Sequence, residues 1–367
     1  MKVRDILVEH KQGYYRPGKF EAGDVHLVRI SDITDEAHID KNTTPMVSVD
    51  EAVLSSFSIK KNDFLFARTG GAGRFALVKE DIRGIFASYL IRFRFKSEYD
   101  PRFLRYYFLS DAFQFELKST IHGGVNQNVH AENIKDCSVP TFSLPEQQRI
   151  IALLDETFAA LTEVHAKAEC NRSNAKEMLE SVLRETFENG KNWEEKRLEE
   201  CFRLKSGDVL TSKMMSDSGE FPVYGGNGIA GMHDRYNLSG DNVIIGRVGA
   251  LCGNARHITE NIWLTDNAFK LVDFNFEFNN KFLTYLLNFK NLRKFARQAA
   301  QPVISNSSLK DILLRFPKSI DEQRAIVDRL DALTEATMKL EAVYQSKVNA
   351  VEELRKSILQ KAFEGSL

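Results

Sequence analysis

Long apolar runs are missing from this 367-residue chain. No stretch approaches the ~20 uninterrupted apolar residues that a membrane-spanning helix requires, and the opening segment MKVRDILVEH carries charge where a signal peptide needs an apolar run. We therefore expect a cytoplasmic protein with no membrane partner. Cysteine is scarce as well, and the isolated residues Cys137, Cys170, Cys201 and Cys252 form no C-x-x-C pair, which predicts reduced thiols without zinc or redox chemistry.

Catalytic signatures are also absent. The sequence has no H-E-x-x-H, no G-x-x-x-x-G-K-[ST], no G-x-S-x-G and no metal-like cluster among its 8 histidines. The adenine-holding strings N-P-P-[FY] and D-P-P-[FY] of methyltransferases are missing too. A nominal G-x-G-x-x-A begins at Gly71, but residues 75–78 have the pattern of a strand where a dinucleotide site needs a helix. We predict no catalytic residues, no metal and no cofactor on this chain.

No single sign of charge dominates, because 50 Lys and Arg stand against 51 Asp and Glu. By segment, residues 1–140 carry a net charge of +1 and residues 191–317 carry +3, whereas residues 141–190 and 318–367 carry −4 and −1. A DNA-binding protein that works alone usually shows a strongly basic patch. The sequence therefore predicts that any affinity for DNA depends partly on partner proteins.

An internal repeat is the strongest positive signal in the sequence. Elements of the first copy recur 176 positions later: Glu146-Gln147 as Glu322-Gln323, Leu154-Asp155 as Leu330-Asp331, and Phe187-Glu188 as Phe363-Glu364. In both copies apolar residues follow steps of three and four, and each copy stops near a glycine. The pattern predicts two long helices, 141–190 and 318–367, which pack on each other and leave apolar surface for a partner. Candidate partner-binding residues are Phe158, Leu161, Phe187, Leu333, Leu340 and Phe363.

The segments 1–140 and 191–317 differ from the two predicted helices, because they contain short β-like runs and turns rich in Gly and Asn. They also resemble each other. The string FARTGGAG at 66–73 parallels IGRVGALCG at 245–253, since each is a strand followed by Arg and a Gly turn. The sequence therefore predicts an α+β chain with a pseudo-twofold repeat, in the order globule, long helix, globule, long helix.

Polar loop residues suited to DNA recur in both globules. Asn and Gln can bond adenine with two hydrogen bonds, Arg can do the same with guanine, and backbone amides in Gly turns can hold phosphates. Candidates in the first globule are Arg68, Thr69, Gly70, Arg74, His122, Gly123, Asn126, Gln127 and Asn128. Candidates in the second globule are Tyr224, Gly225, Gly226, Asn227, Arg247, Asn254, Arg297, Gln298 and Gln301.

Several strings resemble the specificity subunit of type I restriction-modification enzymes over nearly the whole chain. They are P-x-Y-G-G-N-G at 222–228, L-P-E-Q-Q-R-I-I at 144–151, S-x-L-x-x-x-F-E from Ser181 and from Ser357, and Trp193 with Leu198 ahead of Lys205-Ser206-Gly207. The resemblance implies two α/β target recognition domains, each reading one half of a split, asymmetric site on double-stranded DNA. Between them it implies an antiparallel coiled coil that docks two methyltransferase subunits. S-adenosylmethionine, and the ATP and Mg used by optional restriction/motor subunits, would sit on those partners.

Other interpretations stay open at this point. A protein-only coiled-coil adaptor explains the helices but gives the two Asn- and Arg-bearing globules no task. A further alternative is that the chain is the DNA-recognition part of another restriction-modification class. An enzyme built around the Gly71 turn explains one short string only and predicts a bound cofactor.

Overall fold

The architecture was derived from a computed structural model that describes residues 1–15, 21–69, 71, 73–121, 128–216, 218–297 and 302–365. The chain divides into two compact units, unit 1 (Met1–Ala168 with Ser346–Leu367) and unit 2 (Glu169–Gln345). Each unit holds one globule together with parts of both long helices. The two units are described separately.

The elements follow the predicted order. The first globule contains α1 (Val3–Ile6), β1 (Leu7–Gln12), β2 (Ala22–Val28), β3 (Met46–Val47), α2 (Glu51–Phe57), β4 (Ser58–Ile59), β5 (Phe64–Ala67), β6 (Phe75–Leu77), β7 (Ile82–Phe86), β8 (Leu90–Phe95), α3 (Pro101–Leu109), α4 (Asp111–Ser119) and α5 (Ala131–Asp136). The first long helix, α6, spans Leu144–Glu188. The second globule contains β9 (Glu194–Arg197), α7 (Leu198–Cys201), β10 (Arg203–Ser206), β11 (Phe221–Gly225), β12 (Gly228–His233), β13 (Asn242–Gly246), β14 (Ala255–Ile258), β15 (Trp263–Leu264), β16 (Ala268–Val272), α8 (Asn280–Lys290), α9 (Asn306–Leu309) and β17 (Leu313–Phe316). The second long helix, α10, spans Ile320–Phe363.

In unit 1 an antiparallel sheet of order β1-β8-β5-β6 faces a mixed sheet of order β3-β2-β7-β4. Strand β5 is apolar along its whole length because both of its faces are buried. Phe64 and Phe66 point into an aromatic core that includes Phe93 and Phe108, whereas Leu65 packs in the smaller core on the other face. Strand β6 follows the Gly turn directly, so the helix that a dinucleotide site would need is absent there.

Unit 2 repeats this plan with an antiparallel sheet of order β10-β16-β13-β14 and a three-stranded sheet of order β12-β11-β15. One face of the larger sheet contributes Val243, Ile245 and Phe269 to the main core beneath α8. The other face contributes Ile244 and Ile258 to a core shared with Tyr224 of β11. Successive residues of β13 thus enter opposite cores, as the two-residue period of a strand requires.

Each globule is tied to the start of the long helix that follows it by a buried glutamine. In unit 1 the Gln147 side chain accepts from the Asp100 amide at 2.8 Å and donates to the carbonyls of Glu98 and Phe142 at 3.0 Å each. In unit 2 Gln323 repeats this arrangement, accepting from the Asn279 amide at 2.8 Å. The Gln of the repeated Glu-Gln pair therefore holds the globule on the start of the long helix, and its side chain is fully buried in both copies.

A second contact of the same kind lies eight residues, or about two turns, farther along each long helix. The hydroxyl of Tyr106 donates to Asp155 at 2.5 Å, and the hydroxyl of Tyr285 donates to Asp331 at 2.8 Å. Burial, reinforced by the bond to Asp155, raises the pKa of Tyr106 to about 12. Tyr106 therefore stays protonated and acts as a donor at any physiological pH.

The long helices pair antiparallel within each unit. In unit 1 Arg355 of α10 donates to Thr162 of α6, and His165 lies near Glu352. Residue numbers rise along one helix as they fall along the other, and in unit 2 Lys176 lies near Glu341 in the same sense. Both long helices and their antiparallel pairing are confirmed. Among the described residues, no helix has the length and apolar character needed to cross a membrane.

Candidate nucleic-acid interface

In unit 1 one end of the antiparallel sheet carries the candidate residue Arg68. Arg68 follows the last residue of β5, its amide donates to the Tyr89 carbonyl at 2.8 Å, and its carbonyl accepts from the Val129 amide at 2.7 Å. Its side chain lines a cavity of about 340 Å³ with His10, Lys11, Gln12, Ile91, His130 and Ala131. None of these lining residues is acidic, so the Arg68 guanidinium faces a polar space suited to an anion or a base edge.

Arg247 occupies the same place in unit 2. It follows the last residue of β13, its amide donates to the Asn267 carbonyl at 2.9 Å, and its carbonyl accepts from the Ile304 amide at 3.0 Å. The pair of backbone bonds is the one seen at Arg68, so the parallel between the two Arg-Gly strings is confirmed in three dimensions. The Arg247 guanidinium lies over the Phe269 ring, 5.4 Å from its centroid, which orients it through cation–π attraction.

The Tyr-Gly-Gly-Asn-Gly string forms the hairpin between β11 and β12. Tyr224 is buried at its base, and Asn227 is exposed at its tip while its side-chain oxygen accepts from the Leu251 amide at 3.0 Å. A Cβ atom on Gly226 would overlap the carbonyl oxygen of Val248, the residue after Arg247. The glycine therefore lets the hairpin approach the Arg247 turn closely, which brings two predicted recognition loops side by side.

A matched pair of substitutions tests this close approach. We expect Gly226→Ala to force the hairpin away from the Arg247 turn and to lower stability by about 2 kcal/mol, a typical size for core overpacking. Gly225→Ala should be tolerated, since a Cβ there meets only Thr265 Oγ1 at 3.5 Å and the Ala230 methyl group at 4.0 Å. Thermal unfolding of the two variants compares them directly. Equal melting temperatures would show that the contact is not required.

The other candidates are distributed unevenly. The Arg74 guanidinium donates to the Ile33 carbonyl and to Asp35, so internal partners already hold this side chain. Thr69 and Asn254 are half-buried beside their turns, whereas Asn128 and Arg297 are exposed. The remaining candidates lie outside the described residues: Gly70, His122, Gly123, Asn126, Gln127, Gln298 and Gln301.

The predicted partner-binding residues have mixed surroundings. Phe187 is buried in the core of unit 2 against Phe282 and Phe289, because the end of α6 crosses α8. Phe363 packs on Phe103 and Tyr107 in the equivalent place of unit 1. These two side chains are thus occupied within the chain itself. Of the other four, Phe158 stacks edge-on against Tyr106, Leu161 is buried, Leu333 is half-buried and Leu340 is exposed.

Tyr89 was not among the sequence candidates. It lies on the turn whose carbonyl binds the Arg68 amide, and 60% of its surface is exposed. An exposed aromatic ring beside an arginine can stack on sugars or bases. In the sequence, Tyr89 is visible only as a tyrosine directly ahead of a strand. That position does not by itself show whether the side chain lies on an exposed turn or at the buried start of the strand.

The matches to known proteins follow the same division of the chain into two copies. The sequence model of the type I restriction modification DNA specificity domain matches residues 20–172 and again residues 190–350. The type I restriction enzyme EcoprrI specificity subunit of Escherichia coli is 25% identical over 344 residues, covering 88% of this chain and 84% of the relative.

Two solved structures share the fold. A chain from work on complex assembly and conformational transition of the type I R-M system matches with a TM-score of 0.79 at 19% identity, covering 100% of this chain and 97% of that one. The HsdS subunit from Thermoanaerobacter tengcongensis matches with a TM-score of 0.63 at 20% identity, covering 100% of this chain and 96% of that one.

Proposed function

This chain belongs to the type I restriction-modification DNA specificity family, and from that premise we propose that each globule reads one half of a bipartite, asymmetric DNA site. The observation that carries the proposal is the pair of equivalent turns at Arg68 and Arg247, fixed by equivalent backbone hydrogen bonds in two separate compact units. A repeated, rigidly held arginine beside polar loops matches what direct base readout requires.

The two half-sites should differ in sequence. Arg68 faces a cavity lined by His10, Gln12 and His130, whereas Arg247 lies beside the Asn227 hairpin and is stacked on Phe269. Because different donors and acceptors surround the two arginines, they favour different base edges. The site is therefore asymmetric although the two globules share one plan.

Catalysis belongs to partner subunits in this proposal. Two methyltransferase subunits, which bind S-adenosylmethionine, dock on the long helices, and optional restriction/motor subunits supply ATP- and Mg-dependent cleavage. Apolar side chains that both long helices leave exposed offer surface for such docking: Val164, Met178, Leu340 and Leu354. The specificity subunit itself selects the DNA sequence and carries out no reaction.

Co-expression with the methyltransferase subunit of the same host tests the proposal. We expect the two proteins to copurify, and the complex to shift one duplex sequence and to methylate one bipartite motif. The chain alone should bind DNA weakly and lose it at moderate salt, because its globules carry net charges of only +1 and +3. Tight, salt-resistant and sequence-specific binding by the isolated chain would contradict the proposed dependence on partners. A chain that copurifies but selects no DNA sequence would favour the adaptor instead.

A further inference from the structure

The turns that hold the two arginines are equivalent residue by residue. In unit 1 residues 87–89 connect β7 to β8, and in unit 2 residues 265–267 connect β15 to β16. In both turns the amide of the next strand's first residue donates to the carbonyl of the first turn residue, at 2.9 and 3.1 Å. The third turn residue, Tyr89 or Asn267, accepts the arginine amide at 2.8 or 2.9 Å. Tyr89 and Asn267 therefore occupy the same position on one backbone frame.

The chain that leaves the edge strand beside each turn also matches between the units. Tyr14 forms a parallel bridge with Ala87 after β1, and Asp208 forms a parallel bridge with Thr265 after β10. A Cβ atom on the glycine directly before Tyr14 or Asp208 would overlap a carbonyl oxygen of the turn, at 2.0 Å from Ala87 and 2.6 Å from Thr265. Both units therefore need glycine there to bring the chain against the turn. The two residues after each glycine are thus equivalent as well.

The side chains at these equivalent positions differ in chemistry. Unit 1 carries tyrosine at all three: Tyr14 is half-buried, whereas Tyr15 and Tyr89 are 72% and 60% exposed. In unit 2 the same three positions hold exposed side chains of other types: Asp208, Val209 and Asn267. One rigid frame that presents different side chains beside an arginine is what two readers of different base sequences require.

The three tyrosines of unit 1 line a cavity of about 420 Å³ together with Leu27 and Ile30. Among the lining residues that the structure describes, only Arg29 is charged. Its guanidinium donates to Asp32 and to the Thr43 carbonyl, at 2.8 Å each, so internal partners already hold this charge. The cavity therefore suits an apolar group better than a phosphate. The apolar group that a base pair presents in a groove is the C5-methyl group of thymine.

We propose that Tyr89 and Asn267 are equivalent base-reading residues, one in each globule. Tyr89 packs on the methyl group of a thymine in the first globule's half-site, and the other two tyrosines of the cavity surround that methyl group. The Asn267 amide, which offers both a donor and an acceptor, bonds an adenine edge in the second globule's half-site. Each residue holds the amide of Arg68 or Arg247 through its own carbonyl, so it lies directly beside the arginine turn. This inference rests on the proposed function and adds which residue of each globule selects a letter.

Uracil substitution in the DNA tests Tyr89 in the assembled complex with methyltransferase, using a duplex that carries its methylated motif. Uracil pairs with adenine as thymine does and lacks only the methyl group. Each thymine in the half-site of the first globule, identified by exchange of residues 1–140, is replaced in turn. We expect uracil at one position to weaken binding about fourfold, the value of one buried methyl group. In Tyr89→Ala the thymine and uracil duplexes should bind equally at that position, whereas Tyr89→Phe keeps the ring and should keep the preference.

Methylome sequencing tests Asn267. Asn267→Ala should make one letter of the second globule's half-site degenerate and leave the other half-site unchanged. The matched control is Asn261→Ala, since Asn261 is also exposed but precedes β15, whereas Asn267 follows it; this variant should keep every letter.

Four results overturn the inference. They are a first half-site without thymine, no uracil effect in the wild-type complex, an equal uracil effect in wild type and Tyr89→Ala, and an unchanged motif in Asn267→Ala. In each of these cases the wild-type complex still methylates a bipartite motif, so the proposed function stands. If the wild-type complex selects no bipartite motif, the proposed function fails and this inference fails with it.

Discussion

Exchanging residues 191–317 for the matching globule of another family member will replace one half of the methylated motif and leave the other half unchanged. The reason is that each globule builds its own core and fixes its own arginine turn by hydrogen bonds within its unit. Base contacts that come from separate cores contribute nearly independently to specificity. The expected effect is a complete change of recognised letters on one side only.

Two junction contacts should be retained in the exchanged chain. The Trp193 indole donates to Glu322 at 3.0 Å, and the Arg315 guanidinium donates to the Gly190 carbonyl at 3.1 Å. The incoming globule must also accept Phe187, which packs on Phe282. Methylome sequencing of cells that express the hybrid with its methyltransferase gives the motif directly. Simultaneous change of both halves would refute modular reading, and the reciprocal exchange of residues 1–140 should alter the opposite half.

The helical part of the fold was predictable in detail because it depends on local and repeated signals. A gap-free repeat, with apolar residues spaced three and four apart, predicts the ends of α6 and α10 to within a few residues. This is possible because helix periodicity depends only on residues that are close together in the sequence. The short strands were foreseen where the runs are apolar, as at β5 and β13. Their order in the sheets depends on non-local pairing, which composition and periodicity do not encode.

The same distinction separates the candidate interface residues that were found from those that were missed. Arg68 and Arg247 could be predicted from the sequence because each lies in a short string of residues, and the two strings resemble each other. Tyr89 was missed because it stands directly ahead of a strand, where the sequence alone does not distinguish an exposed turn from a buried strand start. Phe187 was assigned to a partner surface because an apolar stripe does not reveal which of its members a neighbouring globule covers.

The buried glutamines should have the largest effect on stability. Replacing Gln147 with alanine leaves the Asp100 amide and the carbonyls of Glu98 and Phe142 without their partner. An unsatisfied buried polar group costs about 1–3 kcal/mol, so a loss of about 3 kcal/mol is expected when water partly compensates the three groups. By comparison, Gln148→Ala removes the same atoms from the next, exposed position of the helix and should change stability by less than about 0.5 kcal/mol.

Hydrogen exchange on the assembled complex measures this loss where it arises. The Asp100 amide donates directly to Gln147, so its exchange should accelerate roughly 100-fold in Gln147→Ala, as a loss of about 3 kcal/mol implies. Gln323→Ala should do the same to the Asn279 amide of unit 2, because the bond has the same length there, 2.8 Å. If the Asp100 amide exchanges at the same rate in Gln147→Ala and in Gln148→Ala, the Gln147 side chain does not hold the globule on the helix. Faster exchange in only one unit would mean that Gln147 and Gln323 contribute different free energies of stabilisation, although their hydrogen bonds have the same geometry.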